Sequence, residues 1–467
     1  MMGRFSLAYF LLLGFGAIAQ HPDTPVLKFS EFIGYVKQYH PIAKQAELGI
    51  DAAQANLMRS RGGFDPKIEV DYGRKAFKGT EYYDRLNATF KVPVWYGVDL
   101  KGNFEQNDGE FLNPSEITPT DGLYSAGVSV SLGEGLWMNE RMATLKQAKL
   151  FNDQTLADRD IRVNQVLFDA SLAYFEWLKA YLDLRVFSDF LGNAQIRFEG
   201  VKTSADAGEV AAIDTVEAKI AVQDRKLQLE QAKLDLMRTG LELSNFLWMG
   251  DNIPMELQAS TLPDTTLIDE IDITLKIEGN TLDTFTIANH PKLKSLRFKL
   301  NGLEVDKQFK TNKLLPKINV EYNFLTETPE YINSFETQAY KGKITFSMPL
   351  FLRKERGDLK LAKIKIRDAE FEFDNTEIQI KNSIEQLFNE LEGLKVQTAL
   401  IEEIVGNYDI LLAAEERKFR FGESSLFLVN AREIKLIDAQ LKRNRMQNKY
   451  FTSKAKLFKS LAINPMN

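Results

Sequence analysis

Cysteine is absent from all 467 residues. The chain can therefore form no disulfide, offer no thiolate as nucleophile or metal ligand, and carry no lipid on an amino-terminal cysteine. Histidine is nearly as scarce: His21, His40 and His290 are the whole complement, and none stands at metal-ligand spacing from another. No glycine-rich phosphate loop and no nucleophile motif occurs. The chain reads as a non-enzyme with no cofactor and no metal site. An excess of positive charge is missing too. With 59 basic and 65 acidic residues the formal charge is −6, which gives nucleic acid no electrostatic footprint. Long uncharged runs are confined to the start of the chain, and beyond them no stretch of 18 residues is free of charge. A membrane-spanning helix is thereby excluded there, and any crossing of a bilayer falls to alternating strands that close into a barrel.

The uncharged start has its own reading. Arg4 precedes an apolar run from Phe5 to Ile18, and the small residues Ala17 and Ala19 are spaced as a cleavage site requires. Residues 1–19 are predicted to be a secretory signal, with mature protein beginning near Gln20. Export without disulfides fits a bacterial envelope.

The remaining chain is a tandem duplication. His40-Pro41 is followed 25 residues later by Pro66 and the string Lys67-Ile68-Glu69-Val70-Asp71-Tyr72; His290-Pro291 is followed, at the same interval, by Pro316 and Lys317-Ile318-Asn319-Val320-Glu321-Tyr322. Every landmark is displaced by 250 residues. The first repeat is assigned to 20–250, with strands within 67–132 and a helical hairpin at 139–249. A linker covers 251–280. The second repeat is assigned to 281–467, with strands within 317–348 and a hairpin at 354–461. Each repeat is predicted to open with a short helix before His-Pro, over 30–39 and 281–289, and to continue in a second helix as far as the landmark proline.

Period two marks the strands. Ile68, Val70 and Tyr72 alternate with Lys67, Glu69 and Asp71, and Ile318, Val320 and Tyr322 repeat the pattern. Val128, Val130 and Leu132, and then Ile344, Phe346 and Met348, alternate likewise. Residues 86–104 alternate for longer than one strand needs, which predicts an extra hairpin turning near Pro93 to Gly97 and a polar loop over 107–122. Tyr82, Tyr83, Trp95, Tyr96 and Tyr124 are candidates for an interfacial aromatic girdle.

Period 3.6 marks the arms. Val163, Val166, Leu167, Ala170, Tyr174, Trp177 and Leu178 keep threes and fours inside a run of about 66 residues, which at 1.5 Å per residue reaches ~100 Å. Ile213, Ile220, Leu227, Leu234, Leu241 and Trp248 stand seven apart and predict a coiled-coil seam. Leu387, Leu391, Leu394, Thr398, Ile401, Val405, Tyr408 and Leu412 form the matching stripe of the second repeat. Both arms reverse at a glycine, Gly208-Glu209 in one and Gly422-Glu423 in the other.

A chain with four such strands has two bare sheet edges, which hydrocarbon does not tolerate. The edges must pair with further copies; three copies supply about twelve strands, or eighteen with the extra hairpin. Lys67, Glu69, Asp71, Lys317, Asn319 and Glu321 would then line water.

This order of elements, with Gly208-Glu209-Val210-Ala211-Ala212-Ile213-Asp214, Arg420-Phe421-Gly422-Glu423-Ser424-Ser425-Leu426, Met348-Pro349-Leu350-Phe351 and Asn245-Phe246-Leu247-Trp248-Met249-Gly250, resembles the TolC-type outer-membrane factor family. The resemblance implies a mostly α fold with a membrane β part, a TolC-like trimeric α/β-barrel of long coiled-coil helical hairpins and transmembrane antiparallel strands. It implies a passive exit duct in the outer membrane of a Gram-negative bacterium, its helices in the periplasm, serving efflux or type I secretion. The implied partners are two further copies, a periplasmic adaptor protein, an inner-membrane transporter and outer-membrane lipid. Carried over by position, it puts Gly208, Glu209, Gly422 and Glu423 at the periplasmic mouth that meets the adaptor, with Asp206 and Asp214 as candidate aperture charges. The rival reading is a periplasmic coiled-coil scaffold with no channel activity, whose strands form a soluble sheet. For Asp214, a plain role as an acid near a helix amino terminus is a sufficient explanation.

Overall fold

The computed structural model describes residues 25–275, 277, 287–330 and 335–462. The signal assigned to 1–19 and most of the helix expected over 281–289 lie outside the described residues; of that helix, Ile287–Asn289 forms one 3₁₀ turn.

In chain order, the first repeat gives β1 (Val26–Leu27), α1 (Phe29–Tyr39), α2 (Pro41–Arg61), β2 (Lys67–Phe77), β3 (Thr80–Pro93), β4 (Val98–Asp108), β5 (Leu123–Gly133), α3 (Glu140–Asp206) and α4 (Ala212–Ser244). Between the repeats lie β6 (Trp248–Met249), β7 (Ile253–Pro254), β8 (Leu262–Pro263) and α5 (Leu267–Thr274). The second repeat gives α6 (Pro291–Asn312), β9 (Lys317–Thr326), β10 (Tyr340–Ser347), α7 (Arg353–Arg420) and α8 (Leu426–Leu461).

The His-Pro landmark is a helix start. Proline fixes φ at the first helical position and has no N–H to leave unpaired. The histidine before it is the cap: His40 Nδ1 accepts from Ile42 N at 3.3 Å and His290 Nδ1 from Lys292 N at 3.1 Å. Each imidazole also bonds the backbone where a long arm returns, at Asn245 for His40 and Ser460 for His290. One histidine thus fixes the beginning of a helix to the end of the arm beside it.

All six long strands form one antiparallel sheet in the order β10-β9-β5-β4-β3-β2. The extra hairpin turns over 94–97 as its pattern predicts, but β3 begins earlier than the alternation suggested. Its connection to β2 is Lys78-Gly79, both at positive φ (52° and 81°), the geometry of a tight two-residue hairpin turn.

Below the sheet the arms lie side by side. Near the sheet, α2 packs on α3, α3 on α6 and α6 on α7; farther away, α4 packs on α3, α3 on α8 and α8 on α7. The main core sits midway, where α1, α5 and the middle of α3 meet α7 and α8 around Phe29, Phe32, Tyr174, Phe175, Ile271 and Phe451. Tyr174 fastens the inter-repeat segment there: its hydroxyl donates to Leu27 O at 2.7 Å and accepts from Asp264 N at 3.1 Å, while burial pushes its pKa well up.

One expectation about packing is corrected. The row Ile213, Ile220, Leu227, Leu234, Leu241 does not seal α4 against its own chain; all five are more than half exposed, and Trp248 lies past the helix end in β6. The buried stripe is Ala218, Arg225, Ala232 and Thr239, also seven apart. Two heptad stripes share this helix, and the row that turns inward is the one with Ala218, Arg225, Ala232 and Thr239.

Candidate functional site

Directly opposed residues of an antiparallel sheet share a face, so the register sorts every strand residue to one side or the other. One row reads Lys67, Lys91, Lys101, Gly127, Asn323, Lys341, and next to it run Glu69, Thr89, Asn103 and Ser125. The opposite face reads Ile68, Phe90, Gly102, Ala126, Phe324, Tyr340 in one row and Val98, Val130, Val320, Ile344 in another. All six residues predicted to line water, Lys67, Glu69, Asp71, Lys317, Asn319 and Glu321, fall on the polar face.

That face is internally paired. Lys101 reaches Glu321 at 2.9 Å, Lys341 reaches Glu105 at 2.8 Å, and Asp99 takes both Lys91 at 3.1 Å and Arg141 at 2.8 Å. Asn323 Nδ2 donates to Glu321 at 3.0 Å. Lys317 leans toward Glu134 at 3.7 Å.

Among the described residues the apolar face has no partner within the chain. Ile68 and Ile344 are both 75 % exposed, and Val70, Tyr72, Phe90, Leu100 and Phe346 lie open beside them. From Tyr124 to Leu132 the apolar positions of β5 extend over eight steps, ~27 Å along the strand, close to the height of a barrel's lipid-facing band. Aromatic rings gather at both ends of this band. Trp95 stacks on Phe64 at 5.1 Å beside Tyr96 at the helical end, and Tyr82 meets Phe111 at 4.7 Å at the far end. Tyr124 instead packs within the band, on Phe104 at 4.8 Å, and Tyr83 lies under Arg85.

At the other end of the molecule the two arm reversals share one geometry. Gly208 (φ 79°) and Gly422 (φ 76°) occupy the left-handed region. Glu209 N bonds Ser204 O at 2.9 Å and Glu423 N bonds Lys418 O at 2.9 Å, the paired closure that satisfies the last helical carbonyls. Leu426 packs with Val201 and Ala218, so both turns sit together. Gly208, Glu209, Gly422, Glu423 and Asp206 are exposed, as are Ile213, Phe421 and Phe427 around them. Asp214 is half-buried in the first turn of α4. Asp206 ends α3, where the helix dipole opposes a carboxylate. In the second turn Ser424 Oγ donates to Glu415 at 2.6 Å, and that bond holds the Glu415 carboxyl below its usual range.

Just inside the turns lies a cluster that the sequence reading missed. Glu433, fully buried on α8, takes Arg197 of α3 at 2.7 Å and Arg225 of α4 at 3.3 Å; Arg197 also reaches Glu416 of α7 at 2.9 Å. Four helices meet in one ion network. Its signal was present: Glu433 falls in phase with the buried Leu426, Val429, Leu436 and Ile437, and Arg225 in phase with Ala218 and Ala232.

Residues 286–462 match the family model described as outer membrane efflux protein. That match falls in the second repeat. A pyoverdine export outer membrane protein, OpmQ of Pseudomonas putida, is 21 % identical over 379 residues, covering 79 % of this chain and 77 % of that one. The CmeC outer membrane channel of Campylobacter jejuni superposes with a TM-score of 0.64 at 14 % identity over 93 % of this chain and 85 % of its own. The outer membrane protein VceC of Vibrio cholerae gives 0.65 at 12 %, over 93 % and 96 %. The chain therefore shares the TolC-like fold of these outer membrane channels.

Proposed function

We propose that three copies of this chain close into a passive exit duct, which docks a periplasmic adaptor and receives its cargo from an inner-membrane transporter in efflux or type I secretion. One observation carries the reading: every layer leaves its open side on the same two flanks. The sheet ends at β2 and β10, and the helical layer ends at α2 and α4 on the first flank and at α7 on the second. Two different flanks join head to tail, and a contact of that kind generates a ring when its rotation closes.

The two repeats support this. Counting from the turn glycines Gly208 and Gly422, Leu400 and Ile404 of α7 occupy the positions of Val186 and Phe190 of α3. Val186 and Phe190 are buried against α8, whereas Leu400 and Ile404 are 54 % and 41 % exposed. The outward leucine stripe of α4, the repeat equivalent of α8, is the matching surface. A neighbouring copy supplies what the chain itself supplies at the seam between its repeats.

In such a ring the polar sheet face, including Lys67, Glu69, Asp71, Lys317, Asn319 and Glu321, lines the passage. The turns at Gly208-Glu209 and Gly422-Glu423 form the adaptor-facing mouth, with Asp206 and Asp214 at the aperture. Cargo of the pyoverdine kind, carried by the relative in Pseudomonas putida, is one candidate class. The test is planar-bilayer recording on detergent-purified protein, with particle mass measured in parallel. Discrete conductance steps from particles of three chains are expected. Extraction from envelopes without detergent, as single chains that insert no pore, would overturn the reading in favour of a periplasmic scaffold.

A further inference from the structure

The first repeat carries one hairpin more than the second. β3 and β4 are inserted between the strand that opens the repeat and the strand that leads into its long arm, whereas among the described residues β10 is the next strand after β9. Such an insertion has three places to go: across the passage as a plug, over its outer end as a cap, or into the wall.

Its contacts choose among these. β3 pairs with β2 from Lys67↔Lys91 to Phe77↔Thr80, and β4 pairs with β5 from Val98↔Val130 to Glu105↔Leu123, so the hairpin is hydrogen-bonded on both sides. Its two faces obey the same division as the rest of the sheet. Leu86, Ala88, Phe90, Val92, Leu100 and Phe104 share the apolar side with Val128 and Val320. On the polar side, Thr89 donates to Asn103 at 2.9 Å, and Lys101 reaches past β5 to Glu321 of β9. The turn is fixed at the helical end as well: Ser131 N donates to Gly97 O at 2.8 Å, and a Cβ on Gly97 would strike the Gly135 carbonyl. A plug or cap surrounded by water gains nothing from an apolar outer face.

The geometry points to β3–β4 as a wall element. Resting on the three-copy reading above, three sheets of six strands close as an eighteen-stranded barrel, and the membrane section is as wide as the helical cylinder beneath it. Strands ~4.8 Å apart and tilted ~40° each occupy ~6 Å of circumference, so eighteen give a barrel ~36 Å across and twelve only ~24 Å. At any level each chain contributes four helices, and twelve helices at ~9 to 10 Å spacing also span ~36 Å. At equal tilt, four strands per chain give a membrane section about a third narrower than six. The inserted hairpin widens that section by the same factor. It leaves the selective narrowing to the turns at the opposite end and opens the outer section to bulky hydrated cargo.

The cysteine-free chain makes the test direct. Ser129→Cys places one thiol on the polar face of β5, in the parent and in a variant lacking residues 80–108, which joins β2 to β5 at the end where both already lie. Size-graded maleimide polyethylene glycols are then added from the outer side. The parent is expected to admit polymers about 1.5-fold wider than the deletion variant admits. An equal cut-off, or a larger one in the variant, overturns the wall assignment. Should the deletion fail to insert, full-length Leu100→Cys and Asn103→Cys decide: a fluorophore at Leu100 is expected to be quenched by lipid-borne nitroxide and one at Asn103 only by a water-soluble quencher. Water-soluble quenching at both positions, in particles of three chains, overturns the hairpin's role alone. Particles of any other stoichiometry overturn the assembly beneath it.

Discussion

His290 shows how much one side chain is asked to do. It caps α6 through Nδ1 and bonds the end of α8, and burial lowers its pKa to about 4 from an ordinary 6.5. The folded chain holds it neutral, while the unfolded chain binds a proton below pH 6.5. Stability from this group is therefore complete above pH 6.5, falls as pH drops from 6.5 toward 4, and falls no further below that. The full loss amounts to at most about 3 kcal/mol. His40, lowered for the same reason, acts in the same direction. Asn keeps the cap acceptor and does not titrate. The variant His290→Asn is accordingly expected to show a shallower decline of thermal midpoint between pH 6.5 and 4 than the parent, measured by calorimetry of the solubilised protein. The His-Pro pairs were visible as landmarks; the reason for histidine was not, because the second partner of each imidazole is contributed by the opposite end of its repeat.

Helices and strands were legible to different depths. The stripe Leu387, Leu391, Leu394, Ile401, Val405 and Leu412 is buried as its spacing implies, against α8. On α4 the period was equally clear and the face was not. Spacing reports that a stripe exists but not whether its partner is the same chain, and here the larger stripe faces away. The first half of β3 escaped notice because Glu81, Asp84 and Arg85 interrupt the alternation near the tip, where the sheet emerges from the apolar band. The buried Glu433 was overlooked because charges on long helices are usually solvated. Glu433→Gln leaves Arg225 buried without its counter-charge and Arg197 with Glu416 alone, and is expected to cost about 3–5 kcal/mol in denaturant unfolding. Lys233→Ala, at an ion pair with both partners more than half exposed, is expected to change stability by no more than about 1 kcal/mol.

For the molecule as a whole, assembly and stability are hard to separate. The outward row on α4 and the exposed leucines of α7 hold apolar surface that nothing among the described residues covers. Replacing Leu227 and Leu234 together with Asp is expected to reduce the fraction of three-chain particles while leaving helix content unchanged. Two lost leucine burials of ~1.5 kcal/mol or more each correspond to a drop in association on the order of 100-fold. Mass photometry beside circular dichroism checks both halves of that expectation.

The open edges of the sheet set a condition on the life of each newly exported chain. Until β2 and β10 find partners, a solitary copy presents unpaired backbone along two strands and a greasy face to water, the combination that recruits misassembly and proteases. Maturation is then a race between meeting siblings and being destroyed. If three chains must meet, as proposed above, the yield of finished ducts should climb more steeply than synthesis itself, and scarcity of the protein would cut duct number out of proportion to the shortfall.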